Sequence, residues 1–204
     1  PTPRQGRRQR QMCIRDRIVR RCEYGIDFHT GSGGRTNLPQ IRCNVDDAPT
    51  LELAHSFCAP VILNSKRRPG SLRDTALGLG IKTLLFEAGA AHHFDRRSIR
   101  IGVQGTRRVL NHLGMLAYDE SSRENPSEVS RKSTWVRSRR GGLCQMSVEL
   151  GDRVVAGQEV AIVYESLEMK DSVVRAQTDG MVIAQLNHAL VNRGEAIAHI
   201  AELE

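Results

Sequence analysis

The stretch from Asp27 to Arg42, which reads DFHTGSGGRTNLPQIR, limits most strongly what this chain can fold into. It begins inside a short apolar segment, Tyr24–His29, that has the composition of a strand. A glycine-rich loop follows and carries Arg35 and Asn37. Successive side chains of a strand point to opposite faces, so Asp27 and His29 lie on the same face.

The pair of Asp27 and His29 has two interpretations. A carboxylate beside an imidazole is the arrangement of a metal ligand and the group that orients it. A buried histidine that is satisfied by a hydrogen bond gives the same pattern, because buried polar groups usually find partners. The spacing alone leaves both interpretations open.

Beyond this stretch, apolar strand patterns alternate with helix patterns. Asp46 or Asp47 is expected to cap a helix that reaches about Phe57, and Ser71 with Asp74 has capping-box-like spacing. The remaining predicted elements are strands at Pro39–Val45, Pro60–Leu63 and Ile81–Glu87, a helix from Ser71 to Gly80 and a helix at Ser98–Leu116.

Strands that alternate with helices predict an α/β layer with a mostly parallel sheet. Ligands bind beyond the carboxyl ends of the strands in such sheets. His29 and Glu87 both end predicted strands. If these two strands are parallel neighbours, the two side chains share one edge of the sheet.

The second half of the chain has a different pattern. Residues 118–133 are polar, contain Pro126, and are expected to form a linker. From residue 134 onward, short strands are separated by glycine turns, and the segment 142–163 is similar to the segment 180–200. This approximate repeat predicts a pseudo-symmetric β-sandwich over 134–204.

Charge and composition narrow the class of protein. Residues 1–22 hold eight arginines and one acidic residue, which accounts for the whole net charge of +7. This basic tail has no aromatic residues to stack on bases, so the sequence does not favour nucleic acid as a partner. We expect residues 1–17 to be spurious or disordered. No apolar run is long enough to cross a membrane, and five cysteines without metal-type spacing are typical of a cytoplasmic protein with reduced thiols.

The string DFHTGSGGRTNLPQIR resembles the third metal-ligand segment of the succinylglutamate desuccinylase/aspartoacylase family, and Arg35, Asn37 and Arg42 match its pattern. The family consists of zinc-dependent relatives of the metallocarboxypeptidases. The resemblance implies part of a metallocarboxypeptidase-like catalytic domain over 18–117. A small all-β domain over 134–204, similar to the barrel-sandwich hybrid of biotinyl and lipoyl carriers, would follow it.

The resemblance also implies roles for individual residues. His29 would bind Zn²⁺ with Asp27 orienting it, and Glu87, in LLFEAG, would activate the zinc-bound water and then protonate the leaving amine. Arg35 and Arg73 would bind the carboxylate of a small N-acyl amino acid substrate.

The HxxE motif that supplies the first two zinc ligands of the family is absent from this sequence. A catalytic zinc needs three protein ligands. We therefore expect an N-terminally truncated fragment of a deacylase that is inactive alone and binds zinc poorly.

The main alternative is a biotinyl- or lipoyl-like carrier or binding module built on the second half, with Lys170 modified. The sequence around Lys170 resembles a carrier hairpin, but Lys170 falls one position late and Met169 takes the place of the lysine. A slip of one residue turns a side chain to the other face of the hairpin. An exposed structural lysine is therefore favoured.

Overall fold

The computed structural model describes residues 17–117, 126–165 and 170–204. The first of these ranges holds β1 (Tyr24–Gly31), β2 (Arg35–Cys43), α1 (Ala48–Phe57), β3 (Val61–Asn64), α2 (Leu72–Gly78), β4 (Lys82–Ala90) and α3 (Arg96–His112). The other two hold β5 (Glu128–Ser130), β6 (Lys132–Arg137), β7 (Gly142–Met146), β8 (Arg153–Val154), β9 (Glu159–Glu165), β10 (Lys170–Arg175), β11 (Gly180–Leu186), β12 (Leu190–Val191) and β13 (Ala196–Glu202). Within these ranges no helix is long and apolar enough to span a bilayer.

The helices begin where capping residues place them. The Asp47 carboxylate accepts a hydrogen bond from the Thr50 N–H at 3.1 Å, and the Ser71 hydroxyl accepts one from the Asp74 N–H at 3.0 Å. Both predicted caps are confirmed. Helix α3 starts two residues before the predicted position, because the Asp95 carboxylate caps it by accepting from two backbone N–H groups of its first turn.

The main sheet has nine strands along the path β1-β4-β2-β11-β13-β6, with β3, β5 and β8 attached at its sides. The mostly parallel sheet predicted for the first half is confirmed in part, because β2 is parallel to β3 and β3 is parallel to β5, whereas β2 also has antiparallel neighbours. Strand β1 is parallel to β4, but β2 is antiparallel to β4 and to β11. The reason is the short loop between β1 and β2, since a parallel connection needs a dozen or more residues and this loop can only reverse the chain.

The sheet continues across the expected boundary between the two halves. Strand β11 pairs with β2, and β5, inside the predicted linker, pairs with β3. Residues 128–130 and 132–133 of that linker are therefore strand, while residues 118–125 lie outside the described part of the chain. The barrel-sandwich form of the second half stays a prediction.

The second half shows the internal repeat that its sequence suggested. The first repeat pairs β7 with β9, and the second pairs β11 with β13 in the same way. The short strand β8 of the first repeat pairs with β11, and the short strand β12 of the second pairs with β7. Gly142 and Gly180 begin the two repeats. A Cβ atom on either would lie within 2.3 Å of a backbone oxygen on the adjacent strand, so both positions require glycine.

Helices α1 and α3 cover one face of the sheet. The Phe57 ring is fully buried and lies 5.0 Å from the Phe86 ring, and burial of such a side chain stabilises a fold by roughly 1.5–3 kcal/mol. Leu85 and Glu87 flank Phe86 along β4 and therefore point to the opposite face. That opposite face carries a group of polar side chains.

Candidate functional site

A polar pocket of about 630 Å³ lies on the sheet face opposite α1 and α3. Its walls come from β1, β2 and β4, from the segment around α2, and from β6. The pocket brings together all five residues singled out from the sequence: Asp27, His29, Arg35, Arg73 and Glu87.

Near their carboxyl ends, β1 and β4 carry the predicted pair of chemical groups, the His29 imidazole and the Glu87 carboxylate. The two strands are parallel, and His29 is directly opposite Glu87 in their register. Neighbouring strands lie roughly 4.8 Å apart, so the two side chains start next to each other on the pocket face. The condition that the sequence left open, parallel neighbouring strands, is met.

Asp27 and His29 are in contact on β1. The Nε2 atom of His29 lies 3.1 Å from the Asp27 carboxylate, and the imidazole is 46% exposed. A carboxylate that holds one ring nitrogen leaves the other nitrogen to coordinate a metal. The geometry therefore suits the orienting role predicted for Asp27, which itself stays a prediction.

Glu87 pairs with an arginine to which the sequence reasoning gave no role. The guanidinium of Arg42 lies 2.6 Å from the Glu87 carboxylate, and the two side chains are only 22% and 17% exposed. Burial lowers the pKa of Arg42, and the charge of Glu87 opposes this effect. The two residues are diagonal neighbours across β2 and β4, so only the strand register could have revealed them.

Arg73 is held tightly behind the pocket. It is 5% exposed and donates to the Arg42 carbonyl at 3.0 Å, to the Ser65 hydroxyl at 3.1 Å and to the Lys66 carbonyl at 2.9 Å. Burial lowers the pKa of its guanidinium. These bonds fix the strand that carries Arg42, and the predicted contact of Arg73 with substrate stays a prediction.

Arg35 reaches the pocket from the first position of β2, supported by the second half of the chain. Its Nε donates to the Ala196 carbonyl at 3.3 Å, and its guanidinium carbon lies 5.3 Å from the ring centroid of Trp135. Trp135 in turn stacks on His199 at 4.0 Å with an angle of 5° between the rings. Sequence reasoning missed Trp135 and His199, because they are remote from Arg35 along the chain.

His199 is expected to make folding sensitive to acid. Burial and, secondarily, the charge of Arg42 lower its pKa from 6.5 to about 3. As the pH falls below 6.5, the imidazole of His199 becomes protonated in the unfolded chain. In the folded chain the same imidazole stays neutral until the pH reaches about 3. The free energy of unfolding should therefore fall by up to about 1.4 kcal/mol per pH unit from this group.

A His199→Phe variant tests this expectation, because phenylalanine keeps an aromatic ring against Trp135 and cannot be protonated. Urea unfolding at several pH values between 7 and 4 should give a shallower loss of stability for the variant than for the parent. Parallel curves for the two proteins would contradict the expectation.

The described residues do not fit a catalytic zinc by themselves. In residues 17–117, 126–165 and 170–204 no group of three or more His, Cys, Asp and Glu side chains could hold a metal ion. Three protein ligands are the minimum for such a site. His29 is thus a single candidate ligand, and its carboxylate neighbour Glu87 is engaged by Arg42.

The carrier and nucleic-acid-binding alternatives depend on other residues, namely Lys170 and the basic tail. Lys170 is the first residue of β10 and pairs with Glu165, the last residue of β9, in the antiparallel ladder. Residues 166–169, which include Met169, and residues 1–16 of the basic tail lie outside the described residues.

Comparison with known proteins gives two sequence matches. The model of the succinylglutamate desuccinylase/aspartoacylase catalytic domain matches residues 4–113. The N-alpha-acetyl-L-2,4-diaminobutyric acid deacetylase of Halomonas elongata is 33% identical over 200 residues, which cover 91% of this chain and 58% of that protein. The chain thus spans less than two thirds of the length of this relative.

Solved structures show the same fold. A succinylglutamate desuccinylase/aspartoacylase from Rhodobacter sphaeroides superposes with a TM-score of 0.82 at 21% identity, over 94% of this chain and 62% of its own. An ectoine utilization protein from Ruegeria pomeroyi gives a TM-score of 0.83 at 22% identity, over 93% and 63%. Identities this low relate the folds alone.

Proposed function

This chain belongs to the succinylglutamate desuccinylase/aspartoacylase family, and we propose that it forms the substrate-facing part of a hydrolase that deacylates N-acylated amino acids. The relative from Halomonas elongata carries the name of such a deacetylase. A small molecule with an amide and a free carboxylate is the class of substrate that follows.

One observation supports this proposal above the others. The same pocket holds a carboxylate, Glu87, beside an imidazole, His29, and has arginine side chains in its wall. Hydrolysis of an amide needs a group that carries a proton from the attacking water to the leaving amine. An amino acid substrate also needs a cation for its carboxylate. The cavity contains side chains of both kinds.

The proposed roles follow from the contacts. Glu87 takes the proton from water and delivers it to the amine, with its carboxylate oriented by Arg42. Arg35 binds the substrate carboxylate, because two bonds from its guanidinium to backbone oxygens leave further N–H donors of its five. Arg73 adds positive charge behind them and holds the backbone of Arg42 in place.

The cofactor that we propose for the complete site is Zn²⁺, which would polarise the amide carbonyl and activate water. His29 would be one ligand, oriented by Asp27. Since the described residues supply no set of three ligands, we propose that this chain alone is an inactive fragment of the deacylase. After dialysis against zinc it should retain well below one equivalent of metal.

Ligand binding tests the proposed function without turnover. Nα-acetyl-L-2,4-diaminobutyrate and its carboxamide, in which an uncharged amide replaces the carboxylate, are titrated into the chain in a calorimeter. The acid should bind at least about tenfold more tightly, a difference of about 1.4 kcal/mol, because only the acid offers an anion to the arginines. Zinc content and hydrolysis are measured on the same preparation.

Two results would count against the proposal. Equal binding of acid and carboxamide would remove the carboxylate-binding role of the pocket. Stoichiometric zinc together with hydrolysis of the acid would disprove the inactivity of this chain, while it would support the deacylase function.

A further inference from the structure

The glycine-rich loop after His29 is held by the second half of the chain. The Asn187 N–H donates to the Gly34 carbonyl at 2.8 Å, and the ring of His188 packs so closely on Gly34 that an added Cβ would lie 2.6 Å from it. Leu186 pairs with Arg35 in the β2–β11 ladder. The backbone that carries Arg35 is therefore fixed by strands remote in the sequence.

The side chain of Arg35 is fixed by the same half. Its Nε donates to the carbonyl of Ala196, the first residue of β13. Its guanidinium faces the ring of Trp135 on β6. A guanidinium over an indole face is attracted by the negative potential of the ring, so Trp135 limits the directions in which Arg35 can point.

The other face of Trp135 is covered by His199, which is 4% exposed. The two residues are directly opposite each other in the β6–β13 ladder, so the stack is set by strand pairing. Burial and the charge of Arg42 lower the pKa of His199 to about 3, and its ring is therefore neutral near pH 7. A neutral ring does not compete with Arg35 for the indole.

We propose that Trp135, backed by His199, is a positioning residue that holds the Arg35 guanidinium toward the pocket for an anionic group of the substrate. The strands of the second half thereby form the carboxylate-binding wall of the site. This inference rests on the proposed function, since it takes the substrate carboxylate as the partner of Arg35.

The first arm of the test measures affinity. The Kd of Nα-acetyl-L-2,4-diaminobutyrate is determined by calorimetry for the parent, Trp135→Leu and Trp135→Phe. Leucine should raise Kd about tenfold, and phenylalanine, which keeps an aromatic face, about two- to threefold. Tyr164→Leu is the matched control, because it removes a partly exposed aromatic ring of β9 that does not line the pocket, and it should leave Kd unchanged.

The second arm needs no ligand. Trp135 is the only tryptophan of the chain, so indole emission reports on the surroundings of this ring alone. Arg35→Ala should shift the emission of the unliganded protein, whereas Arg68→Ala, an exposed arginine of the same pocket, should not. In the parent, added ligand should shift the emission again.

The outcomes separate the two claims. Tight binding by Trp135→Leu, or an emission that is the same in the parent and in Arg35→Ala, overturns the positioning role and leaves the proposed function standing. Absence of carboxylate-dependent binding in the parent overturns the proposed function and this inference with it. If circular dichroism shows that Trp135→Leu is unfolded, Trp135→Phe and the emission of Arg35→Ala decide.

Discussion

Replacing Arg42 with methionine should lower the free energy of unfolding by about 2–3 kcal/mol. The change leaves the carboxylate of Glu87, 17% exposed in the pocket wall, without its cation at 2.6 Å. Removal of one partner from a buried ion pair is costly because the remaining charge is poorly solvated. The loss should be smaller than for a fully buried pair, since Arg73 contributes some compensating charge.

A double-mutant cycle measured by urea unfolding isolates this pair. Arg42→Met, Glu87→Gln and the double variant should be non-additive, with the double variant more stable than the sum of the single losses predicts. Arg68→Met is the control, because Arg68 is exposed beside the same pocket, and surface changes usually stay within about 0.5 kcal/mol. Additive single losses would contradict the importance of the pair.

Replacing Gly31 with alanine should destabilise the fold by about 3 kcal/mol. An added Cβ would lie 2.2 Å from the Arg35 carbonyl oxygen and 2.9 Å from that of Gly89. Both atoms belong to the backbone, and the position follows a register shift between β1 and β4, so neither can move aside without disturbing strand pairing. The displaced loop would carry His29 and Arg35 with it.

Gly78 is the matched control for this prediction. It lies in α2, and an added Cβ would meet nothing within 4 Å. Alanine there should stabilise the chain by about 0.5 kcal/mol, because glycine loses more conformational entropy in a helix. Thermal or urea unfolding of both variants checks the pair. An unchanged midpoint for Gly31→Ala would show that the loop can relax, contrary to the expected result.

The local features of the fold could be predicted from the sequence. The caps at Asp47 and Ser71 were predictable because a capping side chain bonds to a backbone group within three residues. The start of α3 was predicted wrongly, although Asp95 offered the same kind of signal. The internal repeat was also visible, since it depends on glycine positions along one segment.

The direction of β2 relative to β4 was the main departure from the predicted fold. Alternation of strands and helices suggested parallel strands, but the residues between His29 and Arg35 form only a tight loop, and β2 therefore runs antiparallel to β4. The pairing of β2 with β11, which joins the two halves of the chain in one sheet, could not be predicted from the sequence either. Pairing between distant strands depends on register, which no local pattern specifies.

The sequence by itself determined that His29 and Glu87 lie near the carboxyl ends of two strands, although these strands continue to Gly31 and Ala90. With Asp27 on the same face as His29, it also determined the chemical groups on one side of the pocket. Only the tertiary structure decided what those groups contact. The bond from Arg35 to Ala196 joins residues 161 positions apart, and the pairing of Glu87 with Arg42 depends on two antiparallel strands in one register. The strength of such charge contacts depends on distance and burial, and both quantities are set when remote strands meet.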